Sequence, residues 1–167
     1  METTRHFCAT VYVVRDGAVA LHRHDRADTL LPPGGHIDRD ELPREAARRE
    51  VREETGRDVT LATPPTTIAT DRVRERPAPV RLLLVDVHQY GDGSVAHQHL
   101  DFVYYGRLAS GPLDPQDDGL TRTDWSWFGA DELRADPDVA ADVAAQGLEA
   151  IERIGTEADR AKNGDGP

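Results

Sequence analysis

Short runs of aliphatic, β-branched and aromatic residues recur along the chain and predict a protein built around a β-sheet. The most apolar run, Phe7 to Val14, has the sequence FCATVYVV and predicts a buried strand. Arg15-Asp16-Gly17 predicts a tight hairpin turn into the next strand, and Gly91-Asp92-Gly93-Ser94 predicts a second turn. The predicted strands cover residues 7–14, 18–22, 58–62, 66–70, 80–88, 97–107 and 125–128.

Helices are predicted at three places. Pro43 suits the first turn of a helix, and Gly56 suits the left-handed position after its last turn. Two more helices are predicted after the last strand, one from Ala130 to Arg134 and one from Pro137 to about Ile154. A helix between strands, then a hairpin, then C-terminal helices predict an α/β fold with a mixed sheet sandwiched by helices. We expect one domain over residues 1–160 and a disordered tail over residues 161–167.

The first predicted helix concentrates carboxylates on one face. Glu50, Glu53 and Glu54 stand at positions i, i+3 and i+4 and are therefore neighbours on the helix surface. Like charges at this spacing repel by about 0.2–0.5 kcal/mol per pair. A divalent cation such as Mg²⁺ is the simplest compensation, because hard cations prefer carboxylate oxygens. Gly34 and Gly35 in the preceding loop let the backbone approach a ligand closely. The alternative is a solvated helix whose glutamates are neutralised by neighbouring arginines.

The net charge and the cysteine content argue against several classes of binding partner and indicate the cellular compartment. The 167-residue chain has 31 Asp and Glu against 20 Lys and Arg, a formal net charge of −11. This balance argues against binding duplex nucleic acid or an anionic membrane surface, both of which attract basic proteins. Cys8 is the only cysteine, and no apolar run reaches the length of a membrane span. We therefore expect a cytoplasmic protein, whose oligomeric state cannot be predicted from the sequence.

The acidic surface has two explanations that the sequence leaves open. Lys162 is the only lysine, so nearly all the positive charge is arginine. Acidic, lysine-poor surfaces suit a cytoplasm rich in salt, where charge repulsion is screened. A GC-rich genome would favour arginine over lysine as well, with no relation to salt.

Residues 35–57 resemble the Nudix hydrolase signature G-x5-E-x7-R-E-U-x-E-E-x-G-U, in which U is an aliphatic residue. The matching residues are Gly35, Glu41, Arg49, Glu50, Val51, Glu53, Glu54 and Gly56, and Arg57 departs from the last position. The segment from Trp125 to Leu133 is also similar to the closing strand and helix of the family. The resemblance therefore implies the Nudix α/β/α sandwich with a central mixed β-sheet.

The resemblance also implies an activity and a site. The implied reaction is metal-dependent hydrolysis of the diphosphate bond in a nucleoside diphosphate linked to another group, a small-molecule substrate. The implied cofactor is Mg²⁺, with Mn²⁺ as an alternative. The implied metal ligands are Gly35, Glu50, Glu53 and Glu54, and the implied catalytic residues are Glu53, Arg49 and Glu41. Glu53 would be a ligand or the general base, Arg49 would orient a glutamate, and Glu41 would support the loop or bind metal through water.

The general base varies within the family and can lie outside the signature. Asp101, Asp117 and Asp118 are therefore further candidates, although a solvated loop is the better explanation for the pair Asp117-Asp118.

Histidines form a second candidate site. His97, His99 and Asp101 alternate along one predicted strand and share one face of it, while His6 begins the first strand and His36 follows the loop glycine. This pattern resembles a subgroup of Nudix proteins with Gly-Gly-His-Ile and His-x-His-x-Asp motifs, and the metal site of Nudix-fold isopentenyl-diphosphate isomerases. The isomerases have a cysteine at the position of Gly35, so we do not expect that activity. The histidines would hold a second, transition metal, or they would contact substrate phosphate or hydrogen-bond one another in the cleft. Ordinary surface or core histidines are the remaining alternative.

A different class of function also stays open, namely a non-catalytic Nudix-fold sensor that binds a nucleotide. The intact glutamate set favours the enzyme, because a binding module is free to lose it. The sequence does not name the nucleotide: Tyr104, Tyr105, Trp125 and Trp127 can stack on a base or pack in the core.

Overall fold

In the computed structural model, which describes residues 3–24, 29–116 and 119–163, the described strands form one mixed sheet flanked by helices. The strands are β1 Thr4–Arg15, β2 Ala18–His24, β3 Thr29–Leu31, β4 Gly34–His36, β5 Val59–Leu61, β6 Arg81–Gln89, β7 Val95–Leu108 and β8 Trp125–Gly129. The helices are α1 Pro43–Thr55, α2 Ala130–Ala135 and α3 Ala141–Asn163. A single 3₁₀ turn, Arg122–Asp124, precedes β8.

The parallel pair of β1 and β7 forms the middle of the sheet. Their register runs from Thr4 opposite His97 to Val14 opposite Arg107. On its other side β1 pairs antiparallel with β4 near Ala9 and with β2 near Val14. A strand covered on both faces needs apolar residues at consecutive positions, which explains the unbroken run in β1.

Each face of the sheet has its own apolar core, which confirms the predicted α/β sandwich. On one face, Ala9, Val11 and Val13 of β1 pack with α1, which contributes Ala46 and Val51. The other face carries Tyr12 and Val14 of β1 and Tyr105 of β7. It is covered by α2 and α3 through Leu133, Val143, Ala150 and Ile154. The alternation of side chains along β1 therefore separates the layer of α1 from the layer of α3.

Helix α1 begins and ends as its sequence predicts. Glu45 accepts a hydrogen bond from the backbone N–H of Leu42 at 3.2 Å, which satisfies a donor that the helix leaves unpaired at its start. Gly56 follows the last turn with φ of 66° and donates its N–H to the carbonyl of Arg52 at 2.8 Å. The first hairpin is also confirmed, since Asp16 and Gly17 have φ of 51° and 77°.

The structure differs from the sequence prediction in three places. The strand predicted over residues 66–70 is absent, because this exposed segment forms only an isolated bridge between Ala69 and Arg74. The last helix starts at Ala141 rather than at Pro137, after a turn in which Asp136 accepts the N–H of Asp138. It runs to Asn163, and residues 164–167 of the expected tail lie outside the described part. The short strands β3 and β4 were not predicted.

Strand β6 leaves an apolar edge open to solvent. It pairs with β7 on one side, and Leu82 and Leu84 are 55% and 56% exposed. Within the described residues, no helix combines the length and the apolar character needed to cross a membrane.

Candidate functional site

The signature glutamates of α1 differ in their exposure although they share one helix face. Glu50 is buried, whereas the side chain of Glu53 is 44% exposed. Glu54 accepts a hydrogen bond from the backbone N–H of Gly34 at 3.2 Å, which joins the helix to the loop in front of it. The three carboxylates therefore extend from the interior of the protein to solvent, and all of them offer oxygen to a cation.

Arg49 holds two of these glutamates in place. Its Nη1 donates to Glu50 Oε1 at 2.7 Å and to Glu53 Oε2 at 3.0 Å. Its Nε and Nη2 donate to the two carboxylate oxygens of Glu41 at 3.0 and 2.9 Å, a bidentate pair. Nη2 also donates to the carbonyl of His36 at 2.9 Å. The planar guanidinium thus joins the loop, Glu41 and the carboxylate face of α1.

Gly35 and Glu50 are so close that any larger residue at position 35 would displace the Glu50 carboxylate. A Cβ atom on Gly35 would lie 2.5 Å from Glu50 Oε1 and 2.8 Å from Oε2. Gly34 is equally confined, since its Cβ would lie 2.6 Å from the carbonyl oxygen of Ala9. The glycines therefore let the β4 backbone lie directly against β1 and against a buried carboxylate.

The electrostatics of the site suit a bound cation. Burial raises the pKa of Glu50 above its ordinary value, although the guanidinium of Arg49 opposes the shift. The hydrogen bonds from Arg49 lower the pKa of Glu41, which stays ionised at neutral pH. One arginine thus faces three carboxylates, those of Glu41, Glu50 and Glu53, and Glu54 lies on the same helix face, so the oxygen donors of the site fit a hard divalent cation.

A cavity of about 360 Å³ opens beside this helix, on the α3 face of the sheet. Gly34, Gly35 and Glu54 line one side of it, and His99 and Asp101 of β7 line another. Asp101 Oδ2 accepts a hydrogen bond from Thr10 Oγ1 at 2.8 Å. Its Oδ1 is buried with no hydrogen-bond partner among the described residues. Burial raises the pKa of Asp101.

Histidines from three separate segments meet beside this cavity, which His36 and His99 line. His6 Nδ1 lies 3.3 Å from His36 Nε2, which lies 3.4 Å from His99 Nε2. The ring of His97 packs edge-on against those of His6 and His99, with centroids 4.7 and 5.0 Å apart. Burial and the neighbouring histidines lower the pKa of His36 and His99, which favours the neutral form of these rings.

The structure thus brings together most of the residues that the sequence singled out. Two sets of predicted site residues lie side by side. The carboxylate set consists of Gly35, Glu41, Arg49, Glu50, Glu53 and Glu54, and the histidine set consists of His6, His36, His97, His99 and Asp101. Asp117 and Asp118 lie outside the described residues. Tyr104, Tyr105 and Trp125 are buried in the core, so base stacking by these rings is not supported.

Helix α3 contributes residues to the cavity that the sequence analysis missed. Asp142 and Gln146 line it, and Gln146 donates to the hydroxyl of Tyr12 at 3.2 Å. Their i, i+4 spacing on an otherwise apolar helix face was the available signal. Cys8 also lines the cavity but is inert, because burial raises the pKa of its thiol to about 12.

The family model of the NUDIX domain matches residues 4–149, which is most of the chain and includes both candidate sites. The chain belongs to the Nudix family. Members hydrolyse diphosphate bonds in small nucleotide-linked molecules, and this chain is accordingly a Nudix-type pyrophosphohydrolase. No protein of curated function matches the chain.

Solved structures of Nudix proteins support the same assignment. A Nudix-family hydrolase from Clostridium perfringens is 31% identical, with a TM-score of 0.74 over 90% of this chain and 99% of that one. A MutT Nudix hydrolase from Burkholderia pseudomallei is 22% identical, with a TM-score of 0.52 over 90% and 98%. A UDP-X diphosphatase is 18% identical, with a TM-score of 0.57 over 95% and 66%. The latter two, at lower identity, support the fold alone.

Proposed function

We propose that this Nudix protein is a Mg²⁺-dependent hydrolase that cleaves the diphosphate bond of a nucleoside diphosphate linked to another group. The observation that carries the proposal is the intact carboxylate face of α1, with Glu50 buried against Gly35 and tied to Arg49. A buried carboxylate is costly unless a cation compensates it. Keeping it beside two further glutamates is therefore best explained by a bound divalent metal.

The metal ligands in this proposal are the carboxylates of Glu50 and Glu54 and the carbonyl of Gly35, with Glu53 either a third ligand or the general base. Bound there, Mg²⁺ or Mn²⁺ would neutralise phosphate charge and lower the pKa of a water molecule. Arg49 is a positioning residue, because its hydrogen bonds hold Glu50 and Glu53 in fixed orientations. Glu41 acts through Arg49, whose guanidinium it holds by two hydrogen bonds.

The proposed general base is Glu53, because its carboxylate reaches solvent and can take a proton from water. Asp101 is the second candidate, since it lines the cavity that adjoins the signature loop. Its position also suits contact with substrate.

The cavity supports a substrate of modest size. Its volume of about 360 Å³ lies within the range of small-ligand sites, and Gly35 and Glu54 form part of its wall. The net charge of −11 makes duplex nucleic acid an unsuitable partner. The single, buried Cys8 is compatible with the cytoplasm, where we propose that the protein acts.

The test is an assay of nucleoside diphosphate sugars, dinucleotides and nucleoside triphosphates with Mg²⁺ and with Mn²⁺, with the products separated by chromatography. We expect at least one class to be cleaved at its diphosphate bond, and activity to be lost when EDTA removes the metal. No turnover on any of them, together with tight nucleotide binding, would instead support a non-catalytic sensor.

Glu54→Gln should lower kcat by at least about 100-fold, because the amide carries no charge for a cation and the metal contributes several kcal/mol to catalysis. The same change at Glu152, an exposed residue of α3, is the matched control and should leave kcat unchanged. Equal activity in both variants would contradict the proposed metal site.

A further inference from the structure

Three histidines from distant parts of the chain converge at one point next to the carboxylate site. His6 lies in β1, His36 ends β4 and His99 lies in β7, and one nitrogen from each falls within 4.8 Å of the other two. We propose that these three imidazoles form a second metal site, specific for a transition metal of the Zn²⁺ class and distinct from the Mg²⁺ site on α1. The proposal does not depend on the proposed hydrolase function.

The nitrogen separations match those of a tetrahedral metal site. Zn²⁺ binds histidine nitrogen at about 2.0–2.1 Å, which puts two ligands of a tetrahedron roughly 3.3 Å apart. The separations from His36 Nε2 to His6 Nδ1 and to His99 Nε2 are 3.3 and 3.4 Å. The remaining separation, between His6 and His99, is no more than 4.8 Å, and the exposed ring of His6 would have to turn to shorten it. A fourth position would be open to water or another ligand.

Hydrogen bonding alone does not satisfy this arrangement. His36 Nε2 has a ring nitrogen on either side, at 3.3 and 3.4 Å. A ring nitrogen carries either one proton or one lone pair, so it makes a single good in-plane hydrogen bond. At most one of the two short contacts is therefore a well-aligned hydrogen bond, whereas a cation at their centre accepts all three lone pairs.

His97 supports this site from the side. Its Nδ1 lies 2.8 Å from Thr4 Oγ1, which holds the ring against those of His6 and His99. Supporting contacts of this kind orient the rings that bind a metal. His97 is therefore a positioning residue in the proposal rather than one of the three ligands.

The two sites differ in ligand chemistry and therefore in metal. The site on α1 offers carboxylate and carbonyl oxygen, which suits Mg²⁺ and Mn²⁺, whereas the histidine site offers only nitrogen, which suits Zn²⁺, Co²⁺ or Ni²⁺. They share a boundary, because Gly35 and His36 are consecutive and the carbonyl of His36 accepts from Arg49.

The test uses the full chain without a histidine tag, stripped of metal and titrated with Zn²⁺ in the presence of excess Mg²⁺. We expect one Zn²⁺ per chain by calorimetry and by elemental analysis after gel filtration. Co²⁺ should give the visible absorption bands of a four-coordinate site. Zn²⁺ should also raise the melting temperature, because it ties β1, β4 and β7 together and binds only the folded chain.

Matched variants separate this site from other zinc-binding groups. His99→Gln should weaken Zn²⁺ binding by at least about 100-fold, since even supporting residues typically contribute 10–100-fold. His88→Gln, at an exposed histidine of β6, is the control and should bind Zn²⁺ like the parent protein. Glu54→Gln should keep the zinc stoichiometry while losing Mg²⁺-dependent turnover.

The proposal is overturned if the parent chain takes up no stoichiometric Zn²⁺, or if His99→Gln and the parent take up the same amount. It is also overturned if Glu54→Gln removes the bound zinc, because the metal would then belong to the carboxylate site. None of these results decides whether the protein is a hydrolase, which the separate activity assay tests.

Discussion

Arg49 is the residue on which the carboxylate arrangement depends most directly. Its guanidinium donates to Glu41, Glu50 and Glu53 and to the backbone of the signature loop. These bonds raise the pKa of Arg49 further above its ordinary value, so its charge is permanent. Lysine has the same charge, but its ammonium group lacks the planar fork that binds both oxygens of Glu41 while reaching Glu50.

Arg49→Lys should therefore lower kcat by about 10–100-fold and raise the Mg²⁺ concentration needed for half-maximal activity. The physical reason is that Glu50 and Glu53 lose their fixed orientation while the net charge stays the same. Steady-state kinetics across a Mg²⁺ titration measure both effects.

Arg52→Lys is the matched control on the same helix. Arg52 pairs with Asp58 at the surface, where both side chains are more than half exposed, so its replacement should change neither kinetic quantity. If the two variants had the same Mg²⁺ dependence, Arg49 would not act by positioning the carboxylates.

At the scale of elements, the site depends on how closely β4 approaches α1. Gly35 touches the far end of a flexible side chain, the carboxylate of Glu50, whereas Gly56 touches the fixed backbone of the loop that follows β7. A methyl group at position 35 would therefore displace a functional group. A methyl group at position 56 would strain the fold, because φ there is +66° and Cβ would lie 2.0 Å from the carbonyl oxygen of Asp114.

Gly35→Ala should lower kcat by at least about 100-fold with little change in melting temperature. The added methyl group would make the Glu50 side chain rotate away, which costs the fold little but removes its carboxylate from the metal position. Activity per folded molecule and a thermal melt of the same sample measure the two effects.

Two further glycine variants calibrate that result. Gly56→Ala should cost about 1–3 kcal/mol of stability from backbone strain and keep its activity per folded molecule. Gly91→Ala meets no atom within 4 Å and should change neither quantity. A Gly35→Ala variant that is destabilised like Gly56→Ala yet fully active would contradict the predicted role of the glycine.

The helix and its functional residues were predictable because their geometry is local. Once residues 43–55 are helical, the spacing of Glu50, Glu53 and Glu54 decides that they share a face. The turn residues and the apolar run of β1 were informative for the same reason. The first residue of α3 was harder to predict, because it depends on the turn at Asp136 rather than on the periodicity of the helix itself.

The meeting of the histidines was not predictable from local pattern. Alternation along β7 places His97 and His99 on one face, but only the family resemblance connected them with His6 and His36. Their contact depends on the parallel register of β1 with β7 and on the pairing of Cys8 with His36, which are long-range choices. The cavity residues Asp142 and Gln146 depend in turn on how α3 packs across the sheet.

At the scale of the whole molecule, acidic charge is in large excess. The formal net charge is −11, and the surface ion pairs, such as Arg23 with Asp138 and Arg81 with Glu149, are partly exposed. Such pairs contribute at most about 1 kcal/mol each, whereas the unpaired carboxylates repel one another over the whole surface. Salt weakens both effects, and the net repulsion is the larger one.

We therefore expect the melting temperature to rise as KCl increases from 0.05 to 1 M, a range over which the Debye length falls from more than about 10 Å to about 3 Å. Each kcal/mol gained should raise it by about 2–4 °C. A melting temperature that stays constant or falls would contradict this expectation and the halophilic interpretation of the composition.

The melts should be repeated at several protein concentrations. Leu82 and Leu84 on the edge strand β6 are more than half exposed, and screening of the repulsion would favour association through such an edge. If the rise in melting temperature is independent of protein concentration, salt stabilises the monomer itself rather than an associated form.

The central pairing of the sheet also has a consequence for biosynthesis. Thr4 and His97, which face each other in the β1–β7 pair, are 93 residues apart in the chain. At about 5–20 residues per second, the apolar β1 waits roughly 5–20 s on the ribosome before its partner has been made. During that time its aliphatic residues are candidates for chaperone binding. The three imidazoles meet only after this pairing, so zinc uptake would mark the completion of folding.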